Sequence, residues 1–282
     1  MIVTIKKPSS LQEYLLSQGF RRNRIRQLLK YGSIYVNGKA VKRYDHPLSA
    51  GDRLSIEIKK ESSKEILQRF RIRLLYEDDH IIVIDKPPGL LSIATEKEKK
   101  RTTYYILNEY LRQRGERVFI VHRIDRDTSG LMVFAKTEEA KRKLQANWHD
   151  AEKTYTALVE GRLKEKEGII TGYLKETETF LVYPSKTRID AKYAATAYRV
   201  LKEGKDYSLL EIRLLTGRKN QIRVHLSGIG HPVAGDKKYN AKTDPCYRLC
   251  LHASRLFFKH PVTGRDLNFE IPMPECFRRQ LS

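Results

Sequence analysis

The residues best placed for chemistry are two aspartates two residues apart, Asp125 and Asp127. They lie in Val121-His122-Arg123-Ile124-Asp125-Arg126-Asp127-Thr128-Ser129-Gly130. A carboxyl group of ordinary acidity is ionised at neutral pH and can act as nucleophile or base without a metal. Arginines flank Asp125, and Thr128-Ser129-Gly130 supplies turn formers that can expose it. Apolar runs enclose the stretch, Val118 to Val121 before it and Leu131 to Ala135 after it. It therefore reads as a charged connection between two strands, where a rigid frame presents reactive groups. On these ten residues alone, a surface turn with self-neutralising charges is the simpler reading. A glycosidase pair is another use for two carboxylates, but it needs about 5 Å or more between them across a sugar. Nothing in the sequence indicates that geometry.

A second polar stretch is Thr216-Gly217-Arg218-Lys219-Asn220-Gln221-Ile222-Arg223-Val224-His225-Leu226. Arg218, Lys219 and Arg223 could pair with an acid or a phosphate, although basic helix starts are more often structural. His122, His225, His231 and His252 invite a metal reading. No pair has i, i+4 ligand spacing with a supporting carboxylate, and no cysteines cluster near them in sequence, so no metal is expected. Cys246 and Cys250 lack a second pair and read as ordinary thiols. With Cys276 they make three, too few and too odd in number for a disulfide framework. A reduced, cytoplasmic compartment fits.

The formal net charge of +21 over 282 residues points to a polyanionic partner, most often nucleic acid. A membrane surface is the competitor, but no basic amphipathic helix carries exposed Trp or Phe. No apolar run reaches the roughly 20 residues of a membrane span, and residues 1–20 do not resemble a signal peptide.

Residues 1–60 hold 13 Lys or Arg against 4 Asp or Glu. Arg22, Arg26 and Lys30 recur at i, i+4 and i+8, which stacks them on one helical face while Ile25, Leu28 and Leu29 turn inward. An earlier helix carries Leu11, Leu15 and Leu16 behind the capping candidates Ser9-Ser10. Ile34-Tyr35-Val36 and Lys39-Ala40-Val41 around Asn37-Gly38 read as a hairpin, since Asn-Gly adopts the positive φ of a primed turn. After Gly51-Asp52, alternation of Leu54, Ile56 and Ile58 with polar residues predicts a half-buried strand. Residues 61–70 read as a polar linker.

Residues 71–282 form the main domain. Ile72 to Tyr76 and His80 to Asp85 are strand-like, and Lys86-Pro87-Pro88-Gly89-Leu90 breaks regular structure. Thr102 or Thr103 caps a helix with Ile106, Leu107, Tyr110 and Leu111 on its apolar face. Glu138 to Asp150 is predicted helical, with Ala140, Leu144 and Trp148 in line, so the only Trp reads as core. Lys153 to Val159, Ala194 to Leu201 and Tyr207 to Leu215 are predicted strands, the last two joined by a hairpin loop. A helix opens after Thr216, and Val224 or His225 is expected at a packing boundary. The fold class is α+β: a mixed, largely antiparallel sheet flanked by helices, plus a small α+β domain at the amino terminus.

Arg24 to Leu29, Gly32 to Gly38 and Leu48 to Asp52 resemble the small RNA-binding domain first named from ribosomal protein S-four. The main domain resembles the RluA-type RNA pseudouridine synthases. The resemblance is carried by His122 to Leu131, Lys86 to Leu90, Lys153-Thr154-Tyr155, Thr216 to His225, Gly230 to Asp236 and Leu251 to Leu256. Two departures stand out: Asn220 replaces the usual histidine, and Leu91-Ser92-Ile93 lacks a histidine often found there. The resemblance implies that Asp125 is the catalytic acid, with Asp127 structural. It implies that Arg123 fills the space left by a flipped uridine, that Tyr155 stacks on uracil, and that Arg223 pairs with the acid. Arg22, Arg26 and Lys30 would hold RNA, ribosomal in preference to transfer RNA. The expected protein is a monomer that needs no cofactor. Two other readings compete: a non-enzymatic RNA-binding or ribosome-assembly protein, and a base glycosylase, which would release free uracil.

Overall fold

The computed structural model describes residues 1–57, 62–178, 181–185 and 187–281. The chain divides into two compact units, Met1–Ser62 and Ser63–Ser282. Ile58 and the first residue of the expected linker lie outside the described residues.

In the first unit, strands β1 (Ile2–Thr4) and β2 (Ser9–Ser10) precede helices α1 (Leu11–Ser17) and α2 (Arg22–Lys30). Strands β3 (Ile34–Val36), β4 (Lys39–Ala40), β5 (Pro47–Leu48) and β6 (Arg53–Ile56) complete it. Ser10 caps α1: its hydroxyl accepts from the Glu13 N–H while the Glu13 carboxylate accepts from the Ser10 N–H. Asn37 and Gly38, both at positive φ, turn β3 into β4. The sheet runs β1-β6-β3-β4. Leu11, Leu15, Ile25, Leu28, Ile34 and Leu54 form the core beneath the helices. Arg22, Arg26 and Lys30 remain exposed on α2, as their spacing predicts.

The second unit begins earlier than the sequence suggests. Residues read as linker form helix α3 (Ser63–Arg69), whose Ile66 and Leu67 are buried in the core of this unit. Two apolar residues among polar ones are enough to dock seven residues, and composition alone hid that. The chain continues through β7 (Arg73–Glu77), β8 (Ile81–Lys86), α4 (Thr103–Leu111), β9 (Phe119–Ile120), β10 (Ser129–Ala135) and α5 (Glu138–Ala146). Next come β11 (Glu152–Glu160), β12 (Glu167–Glu176), β13 (Val182–Ser185), β14 (Lys192–Glu203) and β15 (Tyr207–Leu214). Helix α6 (Gln221–Gly228), β16 (Leu251–Lys259), β17 (Asp266–Glu270) and α7 (Glu275–Arg278) close it. The main path of the sheet is β13-β12-β14-β15-β11-β16-β10-β8-β7, with β9 beside β10 and β17 beside β16. Its pairs are antiparallel except β10 with β16, so the sheet is mixed and largely antiparallel. Thr102 caps α4 through its hydroxyl.

Two expectations need correction. Helix α5 stops at Ala146, and Trp148 lies beyond it, half-buried and stacked on His122 at 4.4 Å. The packing boundary expected at Val224 or His225 of helix α6 does not face solvent, because Gln221 to Leu226 are all buried. Ile222 and Leu226 face one apolar cluster, while Val224 enters another with Leu174, Val182 and Ala194. Among the described residues, no helix is long and apolar enough to cross a membrane, which says nothing of a β-barrel.

The β10–β16 seam depends on one glycine. Gly130 has φ +114°, and a Cβ there would sit 2.3 Å from the Ala253 carbonyl oxygen. Gly130→Ala is therefore expected to destabilise the protein by about 3 kcal/mol, combining overpacking with a disfavoured backbone angle. Urea unfolding checks this; a loss below about 1 kcal/mol would mean that the two backbones can separate freely.

Candidate active site

The loop between β9 and β10 carries Asp125, and it is pinned from beneath. The Ser92 hydroxyl donates to the Ile124 carbonyl at 2.7 Å and accepts from the Ile124 N–H at 3.3 Å. The Val133 N–H donates to His122 Nε2 at 3.1 Å. Lys86, fully buried, donates to the carbonyls of Pro87, Leu90 and Arg126 at 2.9, 2.8 and 3.0 Å. Burial lowers its pKa to about 7, yet three carbonyls take all three hydrogens of the ammonium form. Lys86 thus ties the Pro-Pro-Gly bend to the Asp125 loop.

That anchoring separates the two aspartates. Asp127 is the more exposed of the two and pairs with its neighbour Arg126 at 3.1 Å at the edge of the cleft. Asp125 turns into a cleft, where Arg223 Nη1 donates to its Oδ2 at 3.3 Å. Arg223 sits on α6 and is itself fixed. Its Nε and Nη2 bind both oxygens of the buried Asp236 at 2.7 Å each, and Nη1 also reaches Asn220 Oδ1 at 3.2 Å. Burial works against the charged guanidinium, but Asp236 first and Asp125 second outweigh it and raise its pKa. The Tyr239 ring lies 4.9 Å from the guanidinium. Asn220 begins α6 at positive φ and donates to the Tyr239 hydroxyl at 2.9 Å. In place of the expected histidine it therefore binds Arg223 and Tyr239 together.

The cleft has two lobes, of about 890 and 540 Å³, and Asp125, Arg123 and Arg223 line both. Tyr155 lines the smaller lobe, and a β-bulge between Thr154 and Tyr155 locally resets the register of β11. Burial, and then the Asp125 charge, raises the pKa of its phenol. Arg123 is exposed and makes no hydrogen bond or ion pair among the described residues. Asp125, Arg123, Tyr155 and Arg223 are thus brought together, while Arg22, Arg26 and Lys30 belong to the other unit. Arg218 donates to the Tyr193 carbonyl, and Lys219 pairs with Glu176. Among the described residues, no three of His, Cys, Asp and Glu converge as a metal cage.

Sequence reasoning missed Asp236, Lys86 and Ser92 as parts of this arrangement. Asp236 follows a glycine-rich bend and reads as a turn former. Only its burial beside Arg223 reveals its partner.

A carboxylate aimed by a doubly held guanidinium, next to a tyrosine ring in a basic cleft, suits metal-free chemistry on a flat heterocycle and its sugar. A family model described as RNA pseudouridylate synthase matches residues 80–228, and one for the S4 domain matches residues 10–54. The chain belongs to the RNA pseudouridine synthase family. As a member it is an enzyme that isomerises uridine in RNA to pseudouridine, and its S4 domain binds RNA. It is similar to an uncharacterized RNA pseudouridine synthase of Aquifex aeolicus, with 33% identity over 92% of this chain and 88% of that protein. It is also similar to ribosomal large subunit pseudouridine synthase D of Vibrio cholerae, with 32% identity over 91% of this chain and 84% of that protein. The solved structure of human RNA pseudouridylate synthase domain containing 4 superposes with a TM-score of 0.63 at 25% identity. That match covers 78% of this chain and 94% of that one.

Two histidines bordering the loop are held neutral by burial, His122 down to about 3 and His252 down to about 4. An unfolded imidazole titrates near 6.5. Their contribution to stability is complete above about pH 6.5 and is lost as pH falls toward 4, because the unfolded chain takes up the protons first. From pH 7 to pH 5, His252 alone is expected to cost about 2 kcal/mol, with His122 adding in the same direction. Urea titrations at the two pH values check it, and equal stabilities would contradict it.

Proposed function

We propose that Asp125 performs the isomerisation and that the target uridine lies in ribosomal RNA. The observation that carries the first part is the guanidinium of Arg223, clamped by Asp236 and directed at Asp125 in a cleft that also holds Tyr155. In the reaction the bond from N1 of uracil to the sugar breaks, the base turns, and C5 bonds to the same sugar carbon. The C5 hydrogen leaves and N1 gains one, so the atoms balance without a redox or group-transfer cofactor. Asp125 supplies the anionic oxygen at the base and sugar.

A base stacked inside a helix cannot reach such a cleft, and extruding it costs a few kcal/mol. Arg123, exposed at the mouth of both lobes, fills the vacated space in this reading. Tyr155 stacks on the uracil, and Arg223 keeps the acid aimed. On the amino-terminal domain, Arg22, Arg26 and Lys30 hold phosphates. The ribosomal assignment draws on the printed name of the Vibrio cholerae relative and on the S4 domain. Transfer RNA is the other target class. The same reading makes the protein a cytoplasmic monomer, and its three unpaired cysteines suit a reducing compartment.

Asp125→Asn is expected to bind RNA as the wild type does while forming pseudouridine at least ~10³-fold more slowly. The substrate is bulk RNA from cells lacking the gene, which carries the unmodified target. Substantial turnover would falsify the role of Asp125, and release of free uracil would identify a glycosylase instead. Mapping pseudouridines in that RNA before and after treatment identifies the target class. Replacing Arg22, Arg26 and Lys30 together by Gln should flatten the plot of log affinity against log salt by about 2. An unchanged slope would remove the stripe from the RNA interface.

A further inference from the structure

Two adjacent residues on the wall of the larger lobe have features that neither the fold nor the catalytic reading uses. Arg248 is half-buried, and among the described residues no carboxylate lies within ion-pairing distance of it. Its Nε donates to the Leu249 carbonyl at 3.1 Å, and its Nη2 donates to Ser129 Oγ at 2.6 Å and the Leu251 carbonyl at 3.4 Å. Nη1 makes no hydrogen bond among the described residues and is not sealed from solvent. Burial lowers the pKa of this guanidinium, and the nearby thiols and Asp85 only partly oppose that. Arg223, on the same wall, has two carboxylates. A partly desolvated cation without a counter-ion is unfavourable unless an anion from outside completes it.

The residue before it is Tyr247, 94% exposed and at φ +53°. A left-handed backbone is unusual for a bulky side chain. The fold imposes it from both sides. The Tyr247 N–H donates to the Asp244 carbonyl at 3.3 Å. Gly235 packs against the Arg248 carbonyl so closely that a Cβ there would lie 2.1 Å from that oxygen. The ring thereby stands on the lip of the lobe that holds Asp125, contributing almost nothing to the core. Asp244 on that wall already has a cation nearby, Lys237 at 3.8 Å.

We propose that Tyr247 and Arg248 form a binding subsite for the nucleotide that adjoins the target uridine, with Arg248 Nη1 on its phosphate and the Tyr247 ring stacked on its base. The proposal rests on the reading that the uridine enters the cleft at Asp125. A phosphate supplies the anion that Arg248 lacks and matches the fork of a guanidinium. An aromatic ring accepts any base face, so this subsite gives grip rather than sequence readout.

The test uses the full-length enzyme and bulk RNA from cells lacking the gene, with initial rates of pseudouridine formation measured across RNA and salt concentrations. Tyr247→Ala is expected to raise KM about tenfold with kcat within about twofold, and Tyr247→Phe to behave as wild type, because the ring and not the hydroxyl stacks. Arg248→Gln is expected to flatten the plot of log(1/KM) against log salt by about 0.7, one phosphate contact on a single strand, while Tyr247→Ala leaves the slope alone. A merely structural role for Arg248 would lower kcat or stability and leave the slope unchanged. The proposal is overturned if Tyr247→Ala keeps its KM, if Tyr247→Phe is as impaired as Tyr247→Ala, or if Arg248→Gln keeps the wild-type slope. If Arg248→Gln does not fold, the exposed Tyr247 decides alone. Asp125→Asn in the same assay separates the two levels. Turnover there removes the active-site reading, whereas an inactive Asp125→Asn beside an unaffected Tyr247→Ala removes only the subsite.

Discussion

Arg223 is shared unequally between two acids. Asp236, almost fully buried, takes two of its donors in a fork, while Asp125 receives one longer bond at the edge of the cleft. The fork makes the arrangement possible. A guanidinium held by one carboxylate keeps its direction, and because that carboxylate already balances its single charge, the acid facing the cleft is aimed while the three groups together stay negative. Much of the second unit serves this geometry. Helix α6 must be buried on all sides to bring Arg223 inward, and β12, β13 and β14 give Val224 an apolar contact that β11 and β15 could not.

The Asp125 loop meets the complementary demand. An eight-residue charged connection has little apolar surface of its own, so its shape comes from groups beneath it. Ser92 takes both backbone groups of Ile124, Lys86 holds the Arg126 carbonyl, and His122 accepts from the next strand. Each contact satisfies a polar group that burial would otherwise penalise. One outcome is that Asp127, two residues from Asp125, pairs with Arg126 at the edge of the cleft and not with Arg223.

The sequence made some of this legible and hid the rest for physical reasons. Motif resemblance singles out Asp125, Arg123, Tyr155 and Arg223, and they line one cleft. The α2 stripe, the Asn37-Gly38 turn and the Thr102 cap follow local rules and were readable directly. Strands β12, β13, β16 and β17 went unread. The alternation in β12 is interrupted by Gly168 and Gly172, and β16 begins with a nearly continuous buried run. Lys86 and Asp236 were opaque for another reason. Their partners lie far away in the chain or on a different element, and a buried lysine or aspartate looks like a surface one until its neighbours are known.

The parallel join between β10 and β16 spans only two residue pairs, Ser129 with His252 and Gly130 with Ala253. Asp125 hangs from one side of it, while on the other Tyr155 packs in one apolar cluster with Ile222 and Leu226, the helical neighbours of Arg223. Heat or denaturant that loosens this join, across which Leu131, Val133, Leu256 and Phe258 pack in one apolar cluster, would part the acid from its guanidinium. Catalysis would then fade before circular dichroism registered any melting.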